Sequence, residues 1–387
     1  MSRTLFSGGA VLDVRAGATG AADVVVDDDR IVSVGSGLDG DEVVDCTGAL
    51  LVPGFIDCHT HVALAHDLAS FDPVHTPRSA RILSAVPVLA TLLRLGVTTV
   101  RDAWGADAGL ALAVAKGWID GPELLVSLRQ VCTTGGIGDL WFAGVGPFDL
   151  VEDPGMPDPV FNGAESARAV VRRMTQAGAD WIKVTATGSI MEGGRAHHRQ
   201  ITPAEMSALV DEADRQGRAG VMVHAHGARA AEEAARAGAR SVEHGIFLDE
   251  AAVAAMASAG TWLVPTLSGT QAEPAILPAE VAHAHRESVR LAVAAGVPIA
   301  MGTDNPVRPH TEALYELRHL SRAGLGDAGA LRAATWEAAR LLRLADDRGE
   351  VADGKRADLI LLAGTDLDVT ELTQRVRRVW RNGRAVA

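Results

Sequence analysis

His59 and His61 close an apolar run, Phe55-Ile56-Asp57-Cys58-His59-Thr60-His61, two residues apart. Along an extended chain that spacing turns both imidazoles to one face, where they can share a metal ion. Taken alone, the pair fits an ordinary surface just as well. Other apolar runs stop in the same way. Val223-His224-Ala225-His226, Val242-Glu243-His244 and Gly302-Thr303-Asp304 each place a nitrogen or oxygen donor where the run ends. Singly, each reads equally as a core histidine or an N-cap aspartate. Together, imidazole and carboxylate favour zinc or a similar first-row ion, and the set is large enough for two sites.

Of 36 basic residues only Lys116, Lys183 and Lys355 are lysine. Lys183 lies inside Trp181-Ile182-Lys183-Val184-Thr185, where alternation sends Trp181, Lys183 and Thr185 to the same side. A buried ammonium is costly and relieves the cost by losing its proton. The neutral amine can then take up CO2, and the carbamate on Lys183 would bridge two divalent cations. Pairing with a neighbouring carboxylate explains the same lysine. The loop Gly193-Gly194-Arg195-Ala196-His197-His198-Arg199 adds donors. Arg195 suits a substrate carboxylate, because guanidinium binds carboxylate through two parallel bonds. His197, His198 and His226 are candidates to donate to a carbonyl oxygen, whereas Arg199 reads as a solvated cation. Arg101-Asp102 reads as a structural ion pair, Lys355 as structural and Lys116 as a surface residue.

The elements that must carry these groups can be read from the spacing of apolar runs. Runs at 55–58, 98–101, 124–127, 181–185, 221–224, 241–244, 261–264 and 299–302 alternate with helical patterns such as 166–177 and 203–215. Strand and helix in alternation predict a parallel sheet with crossover helices, and eight runs suggest a closed (β/α)8 TIM barrel. In such barrels catalytic groups sit at the C-terminal ends of strands. The connection 130–163, with Trp141, Phe142 and Phe148, is long enough to form a lid over the mouth. Short β runs at 4–6, 23–26, 31–34 and 50–52, and again at 357–362 and 376–380, are too small to stand alone. They predict one small β-sandwich built from both termini: residues 1–53 and 346–387 around a barrel of 54–345.

Composition agrees with a large globular fold. Of 387 residues, 48% are hydrophobic and 22% charged, enough for a large core, and the net charge of −13 repels phosphate backbones and anionic membrane surfaces. Nucleic acid and membrane are therefore not expected partners. Cys46, Cys58 and Cys132 make no CxxC pair, and no apolar run is long enough for a membrane span, so a cytoplasmic protein is expected. A homo-oligomer stays open.

Several stretches in this order resemble the amidohydrolase superfamily, in its branch of imidazolonepropionase-like enzymes, Xaa-Pro dipeptidases and zinc-dependent arginine carboxypeptidases. They are Pro53-Gly54-Phe55-Ile56-Asp57-Cys58-His59-Thr60-His61, Gly96-Val97-Thr98-Thr99-Val100-Arg101-Asp102, Ile182-Lys183-Val184, His224-Ala225-His226-Gly227, Ser241-Val242-Glu243-His244-Gly245, Gly302-Thr303-Asp304 and Gly354-Lys355-Arg356-Ala357-Asp358-Leu359. The resemblance implies a binuclear centre, with zinc the expected ion. His59, His61 and Asp304 would hold one metal, His224 and His244 the other, and carboxylated Lys183 would bridge them. His226, one step nearer the mouth, is left to substrate.

The expected activity is metal-dependent hydrolysis of a small-molecule amide, a dipeptide or N-acyl amino acid, by a hydroxide shared between the ions. Asp304 would accept the proton of the water and pass it to the leaving amine. A cyclic-amide hydrolase, a lactone or ester hydrolase and a mononuclear deaminase are alternatives. The deaminase lacks the glutamate expected after His226, and Lys183 has no use in it. A non-catalytic scaffold would have lost ligands, and none is lost. One departure bears on substrate: Thr134-Gly135-Gly136-Ile137-Gly138-Asp139 carries Ile137 where many relatives carry histidine, and an apolar side chain cannot donate to a substrate oxygen.

Overall fold

The computed structural model describes residues 3–64, 75–142, 144, 146–147, 153–192, 195–271 and 277–386. Its centre is two parallel ladders with helices between their strands, a mixed α/β fold. One ladder orders Glu123–Val126, Val97–Asp102 and Phe55–Thr60; the other orders Gln130–Val131, Ile182–Thr185, Val221–Gly227, Ser241–Phe247 and Trp262–Val264. Apart from Glu123–Val126, whose burial alternates, these strands are buried on both faces, so their sequences do not alternate between apolar and exposed polar residues.

Backbone bonds join the two ladders at one margin and tie the first of them to the run 299–302 at the other. The N–H groups of Asp180 and Trp181 donate to Val126 O, at 2.8 and 3.3 Å, and Cys58 N–H donates to Met301 O at 2.9 Å. The eighth run, 299–302, departs from expectation: it forms no ladder strand and is held by a single parallel bridge, Leu263 to Ile299, and by bonds to its neighbours. A Cβ on Gly302 would meet Val264 Cγ1 at 2.3 Å and His59 Cβ at 2.8 Å, so only glycine fits where the run passes between its neighbours.

The connection 130–163 is also not simply a lid. It begins as the strand Gln130–Val131, in register with Lys183 and Val184, after Leu128 turns the chain at φ 65°. Trp141–Phe142 and Gly146–Pro147 then pair antiparallel, and Phe161 returns to the core. Phe148 lies outside the described residues.

Helices follow local sequence logic. Pro203–Arg215 starts with a capping box, Thr202 with Glu205, and has Pro203 in its first turn. Ala164–Gln176 turns Ala167, Val170, Val171 and Met174 inward at helical spacing. Both chain ends enter one six-stranded sheet, ordered Arg384–Ala385, Val376–Arg381, Leu359–Ala363, Ala49–Pro53, Ala10–Asp13 and Ala18–Ala21. A four-stranded sheet of Arg30–Gly35, Asp23–Asp27, Thr4–Ser7 and Glu42–Asp45 shares a core with it that includes Phe6, Ile31, Leu51, Leu359 and Trp380. Among the described residues no helix is long and apolar enough to cross a membrane.

Candidate active site

The C-terminal ends of the central strands bring His59, His61, Lys183, His224, His226 and His244 together with Asp304. Their side chains are buried or nearly so. Donor atoms of His59, His61 and Asp304 lie within 4.8 Å of one another, and so do those of His224, His226 and His244.

Ring hydrogens show what these groups are arranged for. His59 Nδ1 lies 2.7 Å from Glu243 Oε2, and His61 Nδ1 lies 3.0 Å from the Trp104 carbonyl oxygen. Both acceptors require the hydrogen on Nδ1, so each ring presents the bare lone pair of Nε2. Those lone pairs point at Asp304 Oδ1, 3.3 Å from His59 and 3.0 Å from His61. Three electron-pair donors converging with their hydrogens engaged elsewhere repel one another unless a cation lies between them. The second group shows the same need: His224 Nε2 is buried without a hydrogen-bond partner. His244 Nδ1 is 2.7 Å from Thr266 Oγ1, which fixes its ring. The donor set fits divalent metal.

Lys183 Nζ is 3.3 Å from His59 Nε2, and the side chain is 1% exposed. Burial pushes its ammonium down to about 8, against the pull of Glu243 and Asp304. His226 is held down to about 3, first by burial and then by the positive potential of neighbouring His285. Its Nδ1 accepts from Ile190 N–H at 3.1 Å, so the neutral ring carries its hydrogen on Nε2.

A cavity of about 320 Å³ opens over these groups. Its remaining wall is largely apolar, with Leu64, Trp104, Ile137, Ile190, Met191 and Ile246, and Asp304 is the only carboxylate lining it among the described residues. Arg195, His197 and His198 are not part of this lining; all three are exposed on and beside the helical turn Arg195–His197. His197 packs on Phe247, ring centroids 4.7 Å apart, and Arg199 pairs with Glu233 at 2.6 Å. Gly193 and Gly194 lie outside the described residues.

The sequence profile of the amidohydrolase family matches residues 50–386. The chain belongs to the amidohydrolase family. It is a hydrolytic enzyme, similar over 367 residues at 29% identity to an ochratoxinase of Aspergillus niger, covering 87% of this chain and 75% of that protein. Among solved structures it resembles a prolidase complexed with N-methylphosphonate-L-proline, at 33% identity and TM-score 0.88, with 99% of both chains covered. A Xaa-Pro dipeptidase with methionine bound in its active site matches at 29% identity and TM-score 0.90, again with 99% of both chains covered.

Residues outside the strand-end set support the amidohydrolase site. Glu243, fully buried, accepts from Arg101 NH2 at 3.1 and 3.2 Å, from His59 and from Ser241 Oγ. Burial raises its carboxyl, but the Arg101 guanidinium and the His59 bond pull it down to about 2. Arg101 therefore pairs with Glu243 and not with adjacent Asp102. Neighbours on a strand point to opposite faces, and Asp102 accepts from the backbone N–H groups of Val62 and Ala106 instead. His285, Thr266 and Gln130 also line the cavity. Of these supports Arg101, Ser241 and Glu243 stood in stretches that resemble the family, whereas Gln130, Thr266 and His285 did not. Lys355 is structural as expected, its Nζ bound to the Ala345 carbonyl at 2.5 Å, and Lys116 is exposed.

Proposed function

We propose that this amidohydrolase is a binuclear enzyme cleaving an amide of a small molecule, a dipeptide or N-acyl amino acid. The observation that carries the reading is the convergence of the His59 and His61 lone pairs on Asp304 beside a buried amine. His59, His61 and Asp304 would hold one divalent ion, zinc by ligand chemistry, and His224 and His244 the other. Lys183, its proton loosened by burial, would take up CO2 and bridge them as a carbamate. The ions, when bound, lower the pKa of water and polarise a carbonyl.

The protein's own groups do the rest. Asp304 takes the proton of the attacking water and delivers it to the amine nitrogen as the C–N bond breaks, leaving a carboxylate and a free amine. His226, with hydrogen on Nε2, donates to the carbonyl oxygen as negative charge grows there. The apolar walls around Ile137, Leu64 and Met191 exclude water and seat an apolar group of the substrate. Arg195, His197 and His198 would join only through movement of their exposed turn toward the mouth. In this reading the parallel ladders close into a (β/α)8 barrel over residues 54–345, and the terminal sheets, 1–53 with 346–387, form a sandwich that supports it.

The test is amine release by zinc-reconstituted protein from a mixed library of dipeptides and N-acyl amino acids, with bicarbonate present. Release that requires metal and varies with the C-terminal residue is the expected result. Metal-loaded protein releasing no amine would move the activity to cyclic amides, lactones or esters.

A further inference from the structure

Beside the metal-site cavity lies a second one, of about 460 Å³, that shares Thr270 and Leu277 with it. Among the described residues four guanidiniums line it, those of Arg286, Arg308, Arg318 and Arg322, against one carboxylate, Glu312. Arg308 uses that carboxylate, at 2.9 Å. The other three have no ion-pair partner among the described residues. Arg286 donates to the neutral amide oxygen of Gln271, and Arg318 lies over the Tyr315 ring at 4.7 Å with its Nε buried and unbonded. His319, in the same wall, is pushed down to about 4, first by burial and then by Arg318, Arg322 and Arg286.

Elsewhere in this chain of net charge −13, arginines are mostly matched: Arg168 and Arg172 by Asp211 and Glu212, Arg348 and Arg356 by Glu123 and Asp347. Three unmatched guanidiniums around one cavity repel one another, and an anion between them removes that cost. The metal-site cavity, by contrast, has no arginine in its lining. The stretches outside the described residues, 65–74, 148–152, 193–194 and 272–276 among them, contain neither arginine nor lysine.

We propose that the arginine-lined cavity binds the anionic group, carboxylate or phosphate, of a small molecule. That group is either the far end of the substrate or part of a separate ligand. Two connections join the cavities. Thr270 Oγ1, in the shared wall, is 2.8 Å from His285 Nδ1, and His285 precedes Arg286 on the helix Ala279–Ala294. The segment after Asp304 passes Pro306 and Val307 in one lining and reaches Arg308 in the other.

The test compares the zinc-loaded wild type with the double variant Arg286→Gln, Arg322→Gln. Arg322 is exposed and has no ion-pair partner among the described residues, so the single Arg322→Gln variant, which retains the fold, is a second measure. Inorganic phosphate, titrated at constant ionic strength, should bind the wild type at least about tenfold more tightly than the double variant, the scale of lost charge-assisted bonds. Turnover of a neutral amide should be the same in both. A pair of amides differing only by a terminal carboxylate then separates the sources. A KM that rises about tenfold in the variant for the charged amide alone assigns the site to substrate, and unchanged KM values assign it to a separate anion. Equal phosphate binding in wild type and variant would overturn the proposal, since phosphate at the metal centre binds both alike. The guanidiniums would then be accommodated without a bound anion. The phosphate arm needs no turnover, so it is independent of the hydrolase reading; the amide arm rests on that reading.

Discussion

A ring hydrogen on His59 Nδ1 is worth nothing to a metal; its value is that Glu243 takes it and leaves Nε2 bare. Glu243 can do this only as a carboxylate, and Arg101 keeps it one. Glu243→Gln should therefore act twice. It strands a buried guanidinium, costing about 3–5 kcal/mol by the usual scale for a broken buried pair, and it offers His59 an amide that can hold the wrong tautomer. Expected are a lower urea midpoint and fewer zinc ions per chain; a midpoint equal to the wild type would show that the pair carries no stability. Lys183 is a second single-residue test. Lys183→Ala should lower kcat by roughly a hundredfold or more, the scale of one lost electrostatic group, and short carboxylic acids should restore part of it. Full activity in that variant would remove the binuclear model.

Elements hold these residues through their ends. His244, Thr266 and Asp304 all have positive φ, 70°, 54° and 56°, an uncommon conformation for residues other than glycine; His244 lies within the strand Ser241–Phe247, and the other two stand just past the end of a central strand or run. The loop after Trp262–Val264 is pinned from outside: Glu316 accepts from Leu267 N–H at 2.8 Å and from Ser268 N–H and Oγ at 2.7 and 2.6 Å. Burial pushes this carboxyl up to about 7 despite those bonds. A raised folded value means the native protein binds this proton more tightly than the unfolded chain does. The contribution is thus full below the unfolded carboxyl range near 4.5 and is lost as pH rises through about 7. Glu316→Gln should flatten the fall in unfolding stability between those limits; identical slopes in chemical denaturation series would refute the assignment. Strand-end donors were legible because a run of apolar residues marks its own end. The supports were not. Arg101 meets Glu243 from far along the chain, His285 reaches the cavity from a helix face that periodicity cannot aim, and the exposure of Arg195, His197 and His198 depends on how their turn packs. The short strand Gln130–Val131 was hidden by its length.

On the scale of the whole molecule the two ends of the central strands serve different purposes. Ala49–Pro53 runs in the terminal sheet, and after Gly54 the chain becomes the strand Phe55–Thr60 that delivers His59. Gly54 admits no side chain, because a Cβ would lie 2.3 Å from Thr98 Oγ1, and its N–H donates to Asp358 O at 2.7 Å. Both termini are thereby fastened to the start of that strand, while the donors sit roughly 15 Å further along it at about 3.3 Å per residue. Trp380, 3% exposed and edge-on to Phe6 at 4.8 Å, closes the core between the terminal sheets. Trp380→Ala should remove about 3–5 kcal/mol, the usual cost of a large aromatic lost from a core. Because the loss falls at the supporting end, kcat at 20 °C, where about that much destabilisation still leaves the chain folded, should stay within about twofold of the wild type. A thermal melt and a turnover measurement on the same sample decide it. A variant that melts early and turns over normally separates support from catalysis. Loss of kcat in the folded variant would instead mean that the terminal sheets set the position of His59 from the far end of its strand.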